Sequence, residues 1–295
     1  MSRRNEKFLA LASLDYADKD IEELGKIFKA SMEEGMHGLC FSPYEDGQQP
    51  GSQLTRDQVR RRLEIIKPYT NWVRSFSCTE GNEYIPEIAK EFGMKTLVGA
   101  WIGNDKAKNE IEVKNLIELD QKGLVDIAAV GNEVMYRGDL TEVELLEVIQ
   151  YTKSKIKTTP VGYVDAYYEF SERPAITDAC DVILANCYPF WEGCDQDYSL
   201  LYMKDMYHKA MRAGNGKKVI ITETGWPNKG TSLEGAFPSE ANAIKYFINA
   251  QKWSKEEDIE MFYFSSFDES WKVEAEGDVG AYWGLWDKDE QLKFC

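Results

Sequence analysis

The sequence predicts an α/β fold, a single-domain (β/α)8 TIM barrel over residues 1–295, with residues 1–35 as an N-terminal packing helix. Three observations carry this. Short apolar runs alternate with amphipathic stretches eight times, with no linker-like or low-complexity segment between them. Unbroken apolar runs such as Val182-Ile183-Leu184-Ala185 suit strands buried on both faces, as in a parallel sheet. The loop after the first strand has no G-x-G-x-x-G, which disfavours an open doubly wound nucleotide fold.

The elements follow in order. Residues 6–34 read as helical, with Leu24, Ile27 and Phe28 on one face and Gly35 as the stop. This segment precedes the first strand, so it should plug or flank the barrel. Strands are expected at 36–42, 72–77, 95–101 and 126–130. A helix opens at Thr55, where Gln58 would complete a capping box, and others cover 85–92 and 111–122. A second capping box, Thr141 with Glu144, opens a helix to about 156. Further strands are expected at 160–164, 181–187, 218–223 and 260–266, with helices at 170–179, 199–213 and 239–255. The tail, 271–294, has no strong period and holds three tryptophans.

Charge narrows the partners. Against 35 Lys and Arg stand 51 Asp and Glu, a net charge of −16. Nucleic acid and anionic membrane both need a basic footprint, so neither is expected as a partner. A neutral substrate such as a carbohydrate is compatible, although most of the acid serves solubility. Aromatics make up 13% of the chain, and many fall near strand ends, where a sugar cleft wants flat apolar faces. No apolar run reaches the roughly 18 residues of a membrane span.

The N-terminus begins basic, but only residues 8–14 are mildly apolar before Asp15, which makes no convincing signal peptide. The expected location is therefore cytoplasmic, or exported where a signal has been removed. Cys40, Cys78, Cys180, Cys187, Cys194 and Cys295 have no metal-type spacing, and with His37 and His208 they make no zinc site. Cys187 and Cys194 flank a loop and could pair; free thiols are the preferred reading. No metal or organic cofactor is expected, and the chain should be a monomer.

Two stretches repeat one design. Residues 219–227, Val-Ile-Ile-Thr-Glu-Thr-Gly-Trp-Pro, read as a buried strand that delivers Glu223 to its own end. Residues 126–133 do the same for Glu133. An acid at the end of an apolar strand is costly unless it faces a polar cleft. In a (β/α)8 barrel the active site lies at the C-terminal strand ends. Tyr44, Arg74, Trp101, Asn132, Glu133, Asp165, Tyr188, Glu223, Phe267, Asp268 and Glu269 should meet there. Strands four and seven face each other across the mouth. Glycosidic cleavage needs two carboxyl groups, one protonated and one ionised. A phosphate-handling barrel is disfavoured, because Glu223 and Glu269 occupy the ends of strands seven and eight, where a phosphate cup would sit.

Val-Gly-Asn-Glu at 130–133 and Ile-Thr-Glu-Thr-Gly-Trp-Pro at 221–227 resemble the two signatures of glycoside hydrolase family 17, within the clan A barrels. The likeness extends to Phe-Ser-Pro-Tyr (41–44), Val-Arg-Ser-Phe (73–76), Asn-Cys-Tyr-Pro-Phe (186–190), Phe-Asp-Glu-Ser-Trp-Lys (267–272) and Gly-Leu-Trp (284–286). The resemblance implies action on β-1,3-linked glucose polysaccharides or oligosaccharides, by hydrolysis or transglycosylation. By the same resemblance Glu133 is the general acid/base and Glu223 the nucleophile of a retaining double displacement.

Asn132 would bond the sugar 2-hydroxyl, Arg74 would orient Glu223 and keep it ionised, and Tyr188 would donate to Glu223. Glu269, Lys272 and Glu276 match a charged trio that contacts hydroxyls near the scissile bond. For Trp101, Trp226 and Trp271, sugar stacking and core packing are both open. The chain is short between Tyr188 and Tyr198 relative to plant members, which would bring Asp165 and Trp191 close to the non-reducing side. A glycan-binding barrel without catalysis remains the alternative from another class.

Overall fold

Eight parallel strands close on themselves in the order β1 to β8. The structure, a computed structural model, describes residue 16 and residues 18–294. The strands are β1 (Met36–Cys40), β2 (Thr70–Ser75), β3 (Lys95–Ala100), β4 (Ile127–Asn132), β5 (Val161–Ala166), β6 (Val182–Asn186), β7 (Val219–Thr224) and β8 (Met261–Tyr263). The principal helices are α1 (Ile21–Glu33), α2 (Arg56–Ile66), α3 (Tyr84–Glu91), α4 (Lys106–Gln121), α5 (Glu142–Lys155), α6 (Pro174–Ala179), α7 (Ser199–Gly214) and α8 (Glu240–Glu256). The expected (β/α)8 barrel is therefore present. Continuous apolar strands such as β6, buried at every position, are what a sheet covered on both faces requires.

The helix expected over 6–34 begins only at Ile21; residues 18–20 are turn and coil ending in the cap at Asp20, and the stretch up to residue 15, with residue 17, lies outside the described residues. α1 starts where Asp20 and Glu23 form a reciprocal capping box. It flanks the barrel. Leu24, Phe28 and Met32 are buried, and Phe28 packs on Phe247 of α8 at 4.9 Å between ring centroids. Among the described residues no long helix follows β8, and α1 packs beside α8 in the helical ring.

Three local expectations change. Thr55 caps α2, but the Gln58 side chain does not reach back to complete a box; its amide donates to the Pro43 carbonyl at 2.7 Å and so ties down the loop after β1. The helix expected at 170–179 is two short pieces, Glu169–Glu172 and α6, divided where Pro174 begins a new helix. β8 stops at Tyr263. Beyond it, the Phe264 and Ser266 N–H groups still bond Thr224 of β7 and Cys40 of β1, while the Ser265 N–H turns to the Trp283 carbonyl and seats the tail. The capping box at Thr141 and Glu144 forms as expected. Cys187 and Cys194 are free thiols, and Cys295 lies outside the described residues.

Candidate active site

Two backbone irregularities deliver the carboxylates. β4 slips register against β5 between Ala129 and Asn132. Gly131 lies in that slip with φ +84°, and an added Cβ would come within 2.8 Å of the Val134 side chain. The slip brings Asn132 opposite Val164, and Glu133 follows with φ 53° and ψ 33°, a left-handed conformation that is uncommon for a glutamate. β6 and β7 slip between Ala185 and Asn186, which brings Asn186 level with Glu223. Gly225 is needed two residues on, because an added Cβ would lie 2.2 Å from the Phe264 carbonyl oxygen. Bulges that re-aim side chains are common beside active sites.

Glu223 is buried and held from three directions. The Arg74 guanidinium donates to its Oε1 at 2.6 Å, Asn186 Nδ2 to the same oxygen at 3.1 Å, and the Tyr188 hydroxyl to Oε2 at 2.8 Å. Arg74 also donates to Asn132 Oδ1 at 2.6 Å and to the Thr222 carbonyl at 3.1 Å. Removing one partner of such a buried pair typically costs about 3–5 kcal/mol. Burial, then the charge of Glu223, push the Tyr188 phenol well above its ordinary value, so it stays a donor.

Glu133 is partly exposed. Asn186 Nδ2 donates to its Oε1 at 2.8 Å while also serving Glu223. One amide nitrogen therefore bridges the two carboxylates, whose accepting oxygens lie within about 6 Å of each other. That is shorter than the roughly 6.5–9.5 Å spacing of inverting glycosidases and compatible with the about 5–5.5 Å of retaining ones. Burial, then the Glu223 charge, raise the Glu133 carboxyl to about 7; the Asn186 hydrogen bond opposes them, Asp165 adds to the rise, and Arg137 opposes it. The pair is electrostatically divided. Glu223 has the cation, and Glu133 is the carboxyl whose proton is held more tightly than usual.

Asn186 was missed as a site residue. The signal was present: it stands two positions before Tyr188, and residues two apart in extended chain share a face. Asn186→Ala should lower kcat/KM by roughly 100-fold, as loss of one aligned donor does. It should also move the basic limb of the pH profile upward, because the hydrogen bond that favours ionised Glu133 is gone.

The remaining expected residues divide. Glu269 and Lys272 pair at 2.6 Å. Burial opposes the Lys272 charge, but Glu269 and Glu276 outweigh it and hold the ammonium above its usual value. Glu276 joins them; its carboxyl is pushed up to about 7, chiefly by burial, against the pull of Lys272. Trp271 donates from its indole to Glu269 at 3.2 Å, and Tyr44 meets its edge at 6.0 Å. Trp101 and Trp191 are 41% and 40% exposed. The Arg137 guanidinium covers one face of Trp101 at 4.5 Å, and Trp191 leans on Trp283 at 5.5 Å.

Four expected positions are corrected. Trp226 is 2% exposed, packs against Phe190 and Tyr246, and donates to the Phe237 carbonyl, so it is core and offers no face to a sugar. Asp165 is 0% exposed and accepts hydrogen bonds from the turn after Glu133, so it does not line the non-reducing side. Phe267 lies beneath the mouth with the Arg62 guanidinium over its ring. Asp268 pairs with Lys293 of the tail at 2.9 Å.

Residues 38–284 match the family model described as the BtgE/BtgC glycoside hydrolase domain. A glucan 1,3-beta-glucosidase of Candida albicans is 28% identical over 263 residues, covering 79% of this chain and 83% of that protein. A glucan 1,3-beta-glucosidase of Saccharomyces cerevisiae is 26% identical over 269 residues, covering 83% and 86%. Among solved structures, an active-site mutant of Rhizomucor miehei beta-1,3-glucanosyltransferase in complex with laminaritriose superposes with a TM-score of 0.79 at 28% identity, over 88% of this chain and 96% of that one. A second structure of that transferase, described as glycoside hydrolase family 17, gives 0.78 at 28% identity and the same coverage.

Proposed function

The chain belongs to the BtgE/BtgC glycoside hydrolase family, and on that premise we propose that it is a retaining family 17 enzyme acting on β-1,3-linked glucose chains. The observation that carries the reading is a pair of carboxyl groups bridged by a single amide, one of them ion-paired to Arg74 and the other without a cation in hydrogen-bond contact. The substrates of the relatives support the linkage assignment.

The chemistry follows from the pair. Glu223 attacks the anomeric carbon while Glu133 gives its proton to the glycosidic oxygen. That carbon–oxygen bond breaks, the leaving chain departs as an alcohol, and a glycosyl ester forms on Glu223. Glu133, now ionised, takes a proton from water or a sugar hydroxyl, whose oxygen attacks the same carbon and expels Glu223. Two inversions give net retention.

Arg74 and Tyr188 hold the two oxygens of Glu223 in line for attack. Because Arg74 occupies Asn132 Oδ1, the amide NH2 of Asn132 is left to donate to the sugar 2-hydroxyl. Lys272, Glu269 and Glu276 would bond neighbouring hydroxyls. The exposed faces of Trp101 and Trp191 support a sugar acceptor, so transglycosylation is the second reading.

Incubation with a laminari-oligosaccharide series, with products resolved by mass over time, tests this. Shorter products are expected, and products longer than the substrate identify transfer. No change, with cellulo- and mixed-linkage oligosaccharides also inert, would overturn catalysis in favour of a glycan-binding barrel.

A further inference from the structure

Glu133 is the residue on which the one-turn helix Val134–Arg137 begins, yet its side chain makes no cap hydrogen bond. A residue in that place ordinarily uses its side chain on the free N–H groups of the first turn. Glu133 cannot do that and also face a sugar, because its carboxylate is turned to Asn186.

The free N–H groups are met from the neighbouring strand. Met135 N–H donates to the Tyr163 hydroxyl oxygen at 2.9 Å and to Asp165 Oδ2 at 3.2 Å. Tyr136 N–H donates to the same carboxylate oxygen at 3.4 Å. The Tyr163 hydroxyl donates to Asp165 Oδ2, and Ala166 N–H donates to Oδ1 at 2.8 Å. Both side chains are buried, and neither lines the cleft. A buried carboxylate surrounded by donors is expensive to install, and a left-handed glutamate persists only where its surroundings fix it.

We propose that Tyr163 and Asp165 are the positioning pair for Glu133: from β5 they cap the helix that Glu133 begins, which leaves the Glu133 carboxyl free and fixes the turn that aims it. The proposal rests on the reading of Glu133 as the general acid. Asp165 has a second effect. Glu133 is faced by Glu223 from β7, Asn186 and Tyr188 from the end of β6, Asp165 and Tyr168 from the end of β5, and Arg137 from its own short helix; Asp165 itself is faced by Tyr163, Tyr168, Glu169 and Glu133. Its negative charge adds to that of Glu223 in holding the proton on Glu133.

The test compares kcat/KM for dinitrophenyl and phenyl β-laminaribiosides, since only the poor leaving group needs a well-aimed acid. Asp165→Asn should lose about 100-fold on the phenyl glycoside and less than about 10-fold on the dinitrophenyl one. Its basic limb should move to lower pH, and KM should change by no more than about twofold, because Asp165 does not touch the sugar. Tyr163→Phe keeps the carboxylate and should show the same leaving-group dependence; it decides the matter if Asp165→Asn does not fold. Equal losses on both substrates for either variant, or an unmoved limb in Asp165→Asn, would overturn the proposal in favour of a merely structural pair. Glu133→Gln is run alongside. If it shows no leaving-group dependence, the general-acid reading itself has failed.

Discussion

The Glu223→Ala variant is expected to lose about 10⁴–10⁶-fold in kcat/KM on laminari-oligosaccharides, the range seen when a nucleophile is removed. The loss should be chemical in origin. Azide, small enough to enter the space left by the side chain, should restore turnover of a dinitrophenyl β-laminaribioside. It would attack the anomeric carbon once, so the product should be the α-glycosyl azide. Alanine also removes the one carboxylate bonded to the Arg74 guanidinium, which keeps Asn132, the Thr222 carbonyl, the Cys40 sulfur and the Phe76 ring as neutral partners. A stability loss approaching 3–5 kcal/mol is therefore expected in urea unfolding. Glu223→Gln keeps an acceptor oxygen beside Arg74 and should unfold closer to wild type while remaining inactive. Near wild-type activity in both variants would remove Glu223 from the mechanism.

Glu133→Gln should behave differently in three ways. Its kcat/KM should fall about 10²–10⁴-fold on the phenyl glycoside and stay within about tenfold on the dinitrophenyl one. Azide should now yield the β-glycosyl azide, because Glu223 still makes the first displacement and azide the second. The third difference is in pH. The Glu133 carboxyl of the wild type stands near 7. Below that value it carries the proton that glycosylation needs; above it, kcat/KM should fall tenfold per pH unit. In Glu133→Gln no proton is lost there, and that limb should vanish. A variant that retained the limb would assign it to another group, of which Glu276, also near 7, is the obvious one.

The barrel was readable because its strands are continuous apolar runs and its helices carry caps at expected places, Thr55 and Thr141 among them. The two carboxylates were readable for a related reason: an acid that ends an apolar strand must go somewhere polar. The same rule misassigned Asp165. It too ends an apolar strand, but its polar surroundings are the N–H groups of the Val134–Arg137 turn packed over β5, and nothing in the local sequence records that contact.

For Trp226, adjacency to Glu223 left stacking and packing both open. It lies three residues after Glu223, but the turn at Gly225, pressed against the Phe264 carbonyl, sends its ring back among Phe190 and Tyr246. Asn186 was overlooked because its importance comes from a register slip between β6 and β7 that sets it level with Glu223, and register is a property of the closed sheet. Gln58 shows the same limit on a smaller scale. It fits a capping pattern, yet its amide is worth more buried against the Pro43 carbonyl and Gln48.

The central claim is that Glu223 forms a glycosyl ester on the way to a product of retained configuration. The most direct measurement is reaction with 2-deoxy-2-fluoro-β-laminaribiosyl fluoride, in which the fluorine slows both steps and the fluoride leaving group restores the first. Proteolysis and mass analysis then locate the label. The account predicts one equivalent of the fluorinated sugar on the peptide that contains Glu223. A label on any other residue, or an unlabelled enzyme that turns laminari-oligosaccharides over with an initial α-anomer product, would contradict it.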